Sequence, residues 1–431
     1  MTISGANSTG KIARIAVVVP LLDHGGGVSQ VADFIVRTIE RTGFLEVHLV
    51  SLATSAVDPE SARLLSPSTW ISGPKARGGL WRGRSYTHVG ACLTEIEFQR
   101  YQKRKVIAKA VADCDLVQVV CGSPAWALSV CGLGKPVAVL CATRAVVERR
   151  RRDYRPQGPA GWWRKAMTAV TNRLDDSALR KVDAIQVMNP WMLDYARTIN
   201  AGRSDVDIRY APPGVDAAMF HPLRERMPAQ DPYILCVGRL DDPRKNIGLL
   251  LEAFDRLPLA LGRLNLVTAG SGEPPSSYWD RVRMLGLGDR VRHVSRPSTE
   301  ELVALYQRAT AFALPSDEEG FGVVILEAMA CGVPVVSTRS GGPDGIITDG
   351  EDGFLVPLDD AESLADRLAR LCMDEAMNRA MGQRGRITIE QRYAEVIAGN
   401  TFLDVWERML PKAHRKEVRT LSSHEGQGPI L

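Results

Sequence analysis

Residues 12–20 read IARIAVVVP, an almost unbroken apolar run dominated by β-branched side chains. A strand of that composition is buried on both faces, the situation of a parallel sheet covered by helices on each side. Pro20 marks its end, because proline cannot donate to a sheet ladder. A glycine loop, HGGGVSQ, follows, then a helical pattern through Ile39 and a second strand pattern, EVHLVSL, at 46–52. Strand, glycine loop, helix and strand in that order open a doubly wound α/β domain.

Short apolar runs recur at 116–120, 136–141, 184–187 and 208–210, with helical patterns between several of them. The stretch 75–84 is rich in Gly and Arg and reads as a mobile loop. At 211–214 the sequence APPG punctuates the chain, and the same logic begins again. Strand patterns at 233–237, 264–269, 291–294, 311–314 and 333–337 are joined by turns and helices, one of them near 323–330. A chain of 431 residues suits two domains of roughly 200 residues each. The expected division is a flexible tail at 1–11, one Rossmann-like domain at 12–213 and a second at 214–395. A helix at 396–411 would then return to the first domain, ahead of a disordered tail at 412–431. Such sheets bind ligands at the carboxyl ends of their strands, so two of them facing a central cleft suit a ligand in two parts.

Composition removes several classes. A net charge of +4 does not suit a nucleic-acid binder. The eight cysteines form no CxxC pair, and several sit within apolar runs. That reads as buried thiols in a reducing compartment, neither a disulfide framework nor a zinc site. The start, MTISGANSTGK, lacks a long apolar core, and no later run is long enough to span a bilayer. The expectation is a cytoplasmic protein, with attachment to the inner face of a membrane as the variant of that reading. Asp113-Cys114-Asp115 spells a DxD, but it stands before an apolar run and reads as a helix-to-strand turn.

The chemistry concentrates at 317–341. Glu319 and Glu327 are spaced eight apart, Gly320 and Gly322 follow the first, and a helix carries the second. Glycines let the backbone approach a ligand closely, and a helix N-terminus offers unpaired N–H groups to anionic oxygens. Two separated carboxylates suit a ligand with two sets of hydroxyls. Glu327 as a mere solvated helix face fits poorly with its apolar neighbours Ile325, Leu326, Ala328, Met329 and Ala330. A second segment, VGRLDDPRKN at 237–246, places Arg239 and Lys245 between a strand and a helix, where two cations suit a diphosphate leaving group. A solvated basic loop is the bland alternative. Gly25, Gly26 and Gly27 fit either a phosphate-facing loop or a flexible turn. They do not satisfy GxGxxG, which argues against a nicotinamide dehydrogenase.

The run PSDEEGFGVVILEAMACGVPVVSTRSGG resembles the signature of glycosyltransferase family 4, whose members have the GT-B fold. The segments PGVD with Phe220, GSGE at 270–273, GGPD at 341–344 and GFLV at 353–356 are similar to further family segments. The likeness is close over 211–360 and loose over 12–200. It implies a retaining enzyme that uses a nucleoside diphosphate sugar to build a glycan, polysaccharide or glycolipid. The first domain would hold the acceptor and the second the donor. Glu319 would contact donor-sugar hydroxyls and Glu327 the ribose. The backbone at Gly320, Phe321, Gly322 and Val323 would hold the diphosphate and sugar, with Gly26 and Gly27 opposite. Arg239 and Lys245 would bind the diphosphate, with Arg244 the weaker choice, so that no metal is required. An epimerase or glycan phosphorylase on a similar scaffold, or a non-catalytic nucleotide-sugar-binding partner, are the rival readings.

Two features depart from or extend that pattern. Many members carry a histidine after a first-domain strand, where this chain has Ala142 and Thr143, and no histidine stands between His88 and His221. Residues 144–155 hold six arginines, followed by Gly161-Trp162-Trp163-Arg164-Lys165. A solvated loop and an interfacial patch for anionic lipid or a lipid-linked acceptor both fit 144–165.

Overall fold

A computed structural model describes residues 12–22, 26–55, 57–150, 158–224 and 231–411. The tails expected at 1–11 and 412–431, Gly25, and the middle of the arginine-rich stretch fall outside the described residues.

The first sheet has eight strands: β1 (Ala13–Pro20), β2 (Leu45–Leu52), β3 (Ala76–Trp81), β4 (Arg84–Val89), β5 (Leu116–Cys121), β6 (Val137–Cys141), β7 (Ala184–Val187) and β8 (Asp207–Tyr210). Their order is β3-β4-β2-β1-β5-β6-β7-β8, parallel except for β3. The second sheet is wholly parallel, in the order β11-β10-β9-β12-β13-β14. Its strands are β9 (Tyr233–Val237), β10 (Asn265–Gly270), β11 (Val291–Ser295), β12 (Ala311–Leu314), β13 (Val335–Thr338) and β14 (Phe354–Val356). Central strands are buried on both faces: β5, β6, β9 and β12 have no exposed residue. The chain leaves β1 toward β2 on one side and later fills β5 on the other, and it does the same around β9 and β12. These are topological switch points, where the loops after adjacent strands diverge and leave a crevice.

The stretch 75–84 is no mobile loop. It forms most of an antiparallel hairpin, β3–β4. The sequence misled because its glycines hide the pairing force. Tyr86 lies across Gly79, where a Cβ would stand 2.6 Å from the ring. Arg82 and Arg84 reach the buried carboxylate of Asp33 at 2.7 and 3.1 Å. The DxD is structural: Asp115 accepts from the Arg14 N–H at 2.9 Å and returns its own N–H to the Arg14 carbonyl at 2.8 Å.

The chain crosses between the sheets twice, side by side. Val215 and Tyr393–Glu395 exchange backbone hydrogen bonds. The last helix, Glu395–Met409, then lies on the first sheet. Phe402 meets Phe34 edge-on at 5.6 Å, and the fully buried Trp406 donates its indole N–H to Gln118 of β5 at 2.8 Å.

Candidate functional site

The loops after β9 and β12 meet at the second sheet's switch point, and they carry Lys245 and Glu319. Lys245 Nζ forms an ion pair with the Glu319 carboxylate. Glu319 is pinned through its backbone: its N–H donates to Ser340 O at 3.0 Å and its carbonyl accepts from Gly342 N at 2.7 Å. Asp317 ties the same two loops, accepting from Asn246 Nδ2 at 2.6 Å and donating its N–H to Arg244 O at 2.8 Å. A lysine and a carboxylate thus sit side by side on two rigidly joined loops. One is suited to phosphate oxygens, the other to hydroxyls.

Arg239 lies on the β9 loop with its side chain half exposed, bonded to Asp242 at 3.0 Å. Arg244 has another role. It contacts Asp242 at 2.7 Å, Glu318 at 3.0 Å and, across the domain boundary, Glu148 at 3.4 Å. With three carboxylates around it, it serves as a strut between the halves. Burial raises the Glu318 carboxyl above the usual range, with Arg244 opposing.

Gly322 adopts φ of 99°, and the helix Val323–Ala330 starts immediately after it. The first N–H groups of a helix lack intrahelical partners, so the backbone at Val323 faces outward as a donor edge. Phe321 is buried, and its ring sits 6.4 Å from that of Tyr393. Its side chain belongs to the core, and only its backbone borders the loop. Glu327 is no solvated helix face. It is 4% exposed, and its Oε2 accepts from the Tyr306 hydroxyl at 2.7 Å. Burial pushes the carboxyl up to about 7. Position 327 lies one turn into a helix whose residues 325–330 are all buried, so the carboxylate is drawn into the core's edge.

Across the cleft, Gly26 (φ 92°) and Gly27 begin the helix Gly27–Arg41 at the first sheet's switch point, with open space beside both. The described contacts join neither glycine to Lys245 or Glu319. The two halves meet instead at the end of β6. A Cβ on Gly320 would stand 2.8 Å from the Cβ of Ala142. Ala142, at the position where the family pattern puts a histidine, thus lies directly against the Glu319–Gly320 loop. Asn189 closes the seam, donating from Nδ2 to the carbonyls of Ala142 and Gly320, each at 2.6 Å. Its Oδ1 meanwhile caps the helix Pro190–Ile199 through Met192 N at 3.0 Å. Sequence reasoning missed Asn189, Glu148 and the strut at Arg244. An Asn before Pro signals a helix start, and nothing local signals the reach of its amide across a cleft.

The arginine-rich stretch is divided. Arg144 bonds Asp176 at 2.5 Å and stacks over Tyr195 at 3.9 Å, and Arg149 pairs with Glu97. These two face inward, while Trp162, Trp163, Arg164 and Lys165 are exposed on the helix Gly158–Leu179. Among the described residues no His, Cys, Asp and Glu group could hold a metal ion, and no helix is long and apolar enough to cross a membrane.

Residues 222–388 match the family described as Glycosyl transferases group 1. Over 272 residues the chain is 31% identical to a GDP-mannose-dependent alpha-(1-6)-phosphatidylinositol monomannoside mannosyltransferase of Mycolicibacterium smegmatis, covering 59% of this chain and 69% of that one. It is 32% identical over 230 residues to a D-inositol 3-phosphate glycosyltransferase of Corynebacterium jeikeium, covering 49% of this chain. That match spans 54% of the relative, about half its length. Among solved structures, sucrose-phosphate synthase from Thermosynechococcus elongatus superposes with a TM-score of 0.67 at 20% identity, covering 92% of this chain and 98% of that one. Anabaena HepE in complex with UDP-glucose superposes with a TM-score of 0.65 at 14% identity, covering 92% and 99%.

Proposed function

Because this chain belongs to the group 1 glycosyl transferases and has the GT-B fold, we propose that it transfers a sugar from a nucleoside diphosphate sugar to an acceptor hydroxyl with retention of configuration. The observation that carries the reading is the Lys245–Glu319 pair at the second sheet's switch point. Lys245 and Arg239 bind the diphosphate. Its negative charge grows as the glycosidic bond breaks, so these cations act most strongly in the transition state. Glu319 accepts from donor-sugar hydroxyls once Lys245 turns to phosphate. Tyr306 engages Oε2 of Glu327, so a ribose hydroxyl would be taken by Oε1. The backbone from Gly320 to Val323 borders the diphosphate from one side, and Gly26 and Gly27 from the other. The acceptor hydroxyl approaches from the first domain and passes its proton to the departing phosphate oxygen. Two cations are enough to neutralise the leaving group, so no metal is needed.

The acceptor is a glycan or a lipid-linked molecule, the work is done in the cytoplasm, and the outward-facing part of 144–165 brings the protein to a membrane. A relative named for a phosphatidylinositol monomannoside acceptor supports this choice.

The test is a thermal-shift screen with UDP, GDP and ADP, followed by incubation with the matching labelled nucleotide sugars. One nucleotide should raise the melting temperature, since a ligand of the native state stabilises it. Its sugar should be consumed, with turnover lost in Arg239→Ala and Lys245→Ala. Normal turnover in both variants would refute the assignment of the two cations. Retention of the donor without turnover would make the protein a binder.

A further inference from the structure

The second domain contains a cavity of about 1010 Å³ that the proposed transfer does not use. That is the upper end of the range for small-molecule sites, about 300–1,000 Å³. It opens at the amino ends of β9 and β10, where Tyr233 and Asn265 stand side by side. A strand of five residues such as β9 is about 16 Å long, so the cavity lies at the far end of the sheet from Lys245.

Tyr233, Val267 and Val294 make its floor, all on one face of β9, β10 and β11. β11 is the edge strand, so no further strand extends that face. The helix Thr299–Arg308 forms one wall through Ala304 and Leu305. Two cations stand over the floor. Arg292 lies above the Tyr233 ring, 5.7 Å from its centroid, and Arg308 ends the helix. Both are exposed, and among the described residues neither guanidinium has an ion pair or a hydrogen bond. The acids around the cavity are placed differently. Glu375 pairs with Arg379, Glu301 accepts from Ser298 N at 2.7 Å at the other end of the helix, and Asp231 is exposed at the mouth. Burial pushes the Tyr233 hydroxyl up to about 12, and Arg292 and Arg308 oppose the rise with no carboxylate contributing. The two free cations thus converge on the aromatic floor. Guanidinium groups stack on flat rings and grip anionic oxygens in pairs of hydrogen bonds.

We propose that this cavity is an effector site for an organic anion with a flat apolar body. Its ring system rests on Tyr233 and Leu305, and its anionic group meets Arg292 and Arg308. The Tyr233 hydroxyl donates to Leu305 O at 2.7 Å, and the next residue, Tyr306, donates to Glu327 at 2.7 Å. The cavity wall therefore lies one residue from the partner of the carboxylate assigned to the ribose. The effector role rests on the transferase reading, while the binding site itself needs neither donor nor acceptor.

The probe is 8-anilinonaphthalene-1-sulfonate, titrated by fluorescence into the full-length protein. N-phenyl-1-naphthylamine, with the same rings and no sulfonate, is the neutral comparison. One saturable site is expected for the sulfonate, with the neutral probe bound more weakly. Arg292→Ala/Arg308→Ala should weaken the sulfonate roughly tenfold or more and leave the neutral probe unchanged. Both arginines are exposed, so the melting temperature should hold. Ala304→Trp fills the cavity and should displace both probes. Saturating sulfonate should change the affinity for the nucleotide about fivefold or more, and the nucleotide should change the affinity for the sulfonate by the same factor. Three results would overturn the proposal: no saturable binding by the parent protein, undiminished binding by either variant, or probe binding that leaves nucleotide affinity unchanged. A parent protein that binds the probe as expected but no nucleotide would count against the transferase reading, and the effector role with it, while the binding site would stand.

Discussion

The two walls of the cleft are built by the same topology and held in different ways. On the donor wall the important groups are charged side chains on neighbouring loops, each fixed by a partner: Lys245 by Glu319, Asp317 by Asn246, Arg244 by three carboxylates. On the acceptor wall the seam with the donor loop is made by the carbonyl and methyl of Ala142 and the amide of Asn189, with the Glu148 carboxylate reaching Arg244 beside them. On the proposed function, the second-domain wall carries the donor chemistry mainly in side chains, while the first-domain wall sets the distance at which that chemistry meets its second substrate.

Substitutions can separate the two roles. The largest effect belongs to the donor wall. Lys245→Ala should lower kcat about 10²–10³-fold with little change in melting temperature, because it removes a cation aimed at developing charge. If melting temperature falls as far as activity does, Lys245 is a structural partner of Glu319 and the contrast between the walls fails.

Next comes Glu327, whose carboxyl rises from the ordinary 4.5 to about 7 on folding. Between those values the folded state binds the proton more strongly than the unfolded one, so this group's contribution to stability is present at low pH and lost as pH rises toward 7. The loss is on the order of 3 kcal/mol. Glu327→Gln keeps a polar partner for Tyr306 and removes the titration. Urea unfolding across pH 5 to 8 should show the variant gaining on the parent as pH rises. A constant difference would mean that the carboxylate is not desolvated.

On the acceptor wall, Asn189→Asp keeps the helix cap and turns both donors into an acceptor facing two carbonyls. We expect about 2 kcal/mol lost from the closed arrangement, read as a higher KM for donor with kcat less affected. The smallest effect should come from Gly320→Ala, whose Cβ would meet Ala142 at 2.8 Å. A methyl there wedges the seam by about 1–2 kcal/mol. The paired change Gly320→Ala with Ala142→Gly should recover most of it, and failure to recover would place the strain elsewhere.

The contrast also explains what could be read in the sequence. Glu319, Gly320 and Gly322 fall within one continuous run, and Lys245 falls in another beside the adjacent strand, so donor-wall residues announced themselves together. The paired sheets were equally plain, because strands buried on both faces write uninterrupted apolar runs. Asn189 and Glu148 act through contacts more than 90 positions away, and no local pattern encodes such a reach. The β3–β4 hairpin was hidden for a related reason. Asp33 on the helix Gly27–Arg41 holds its arginines, and the glycines of β3 show their pairing only through Tyr86 of β4 lying across Gly79. Glu327 is a case between the two: the motif placed it on a helix among core residues, and packing adds that Tyr306 takes one of its oxygens.

The return of the final helix to the first sheet has a consequence in time. The first domain's last strand ends at Tyr210, yet Phe402 and Trp406, which cover Phe34 and Gln118, are made roughly 200 residues later. At about 5–20 residues per second, a ribosome takes roughly 10–40 s to supply them. During that interval the nascent first domain carries an uncovered apolar seat, open to chaperones or to a neighbouring nascent chain, and its folding cannot finish before the second domain has been synthesised.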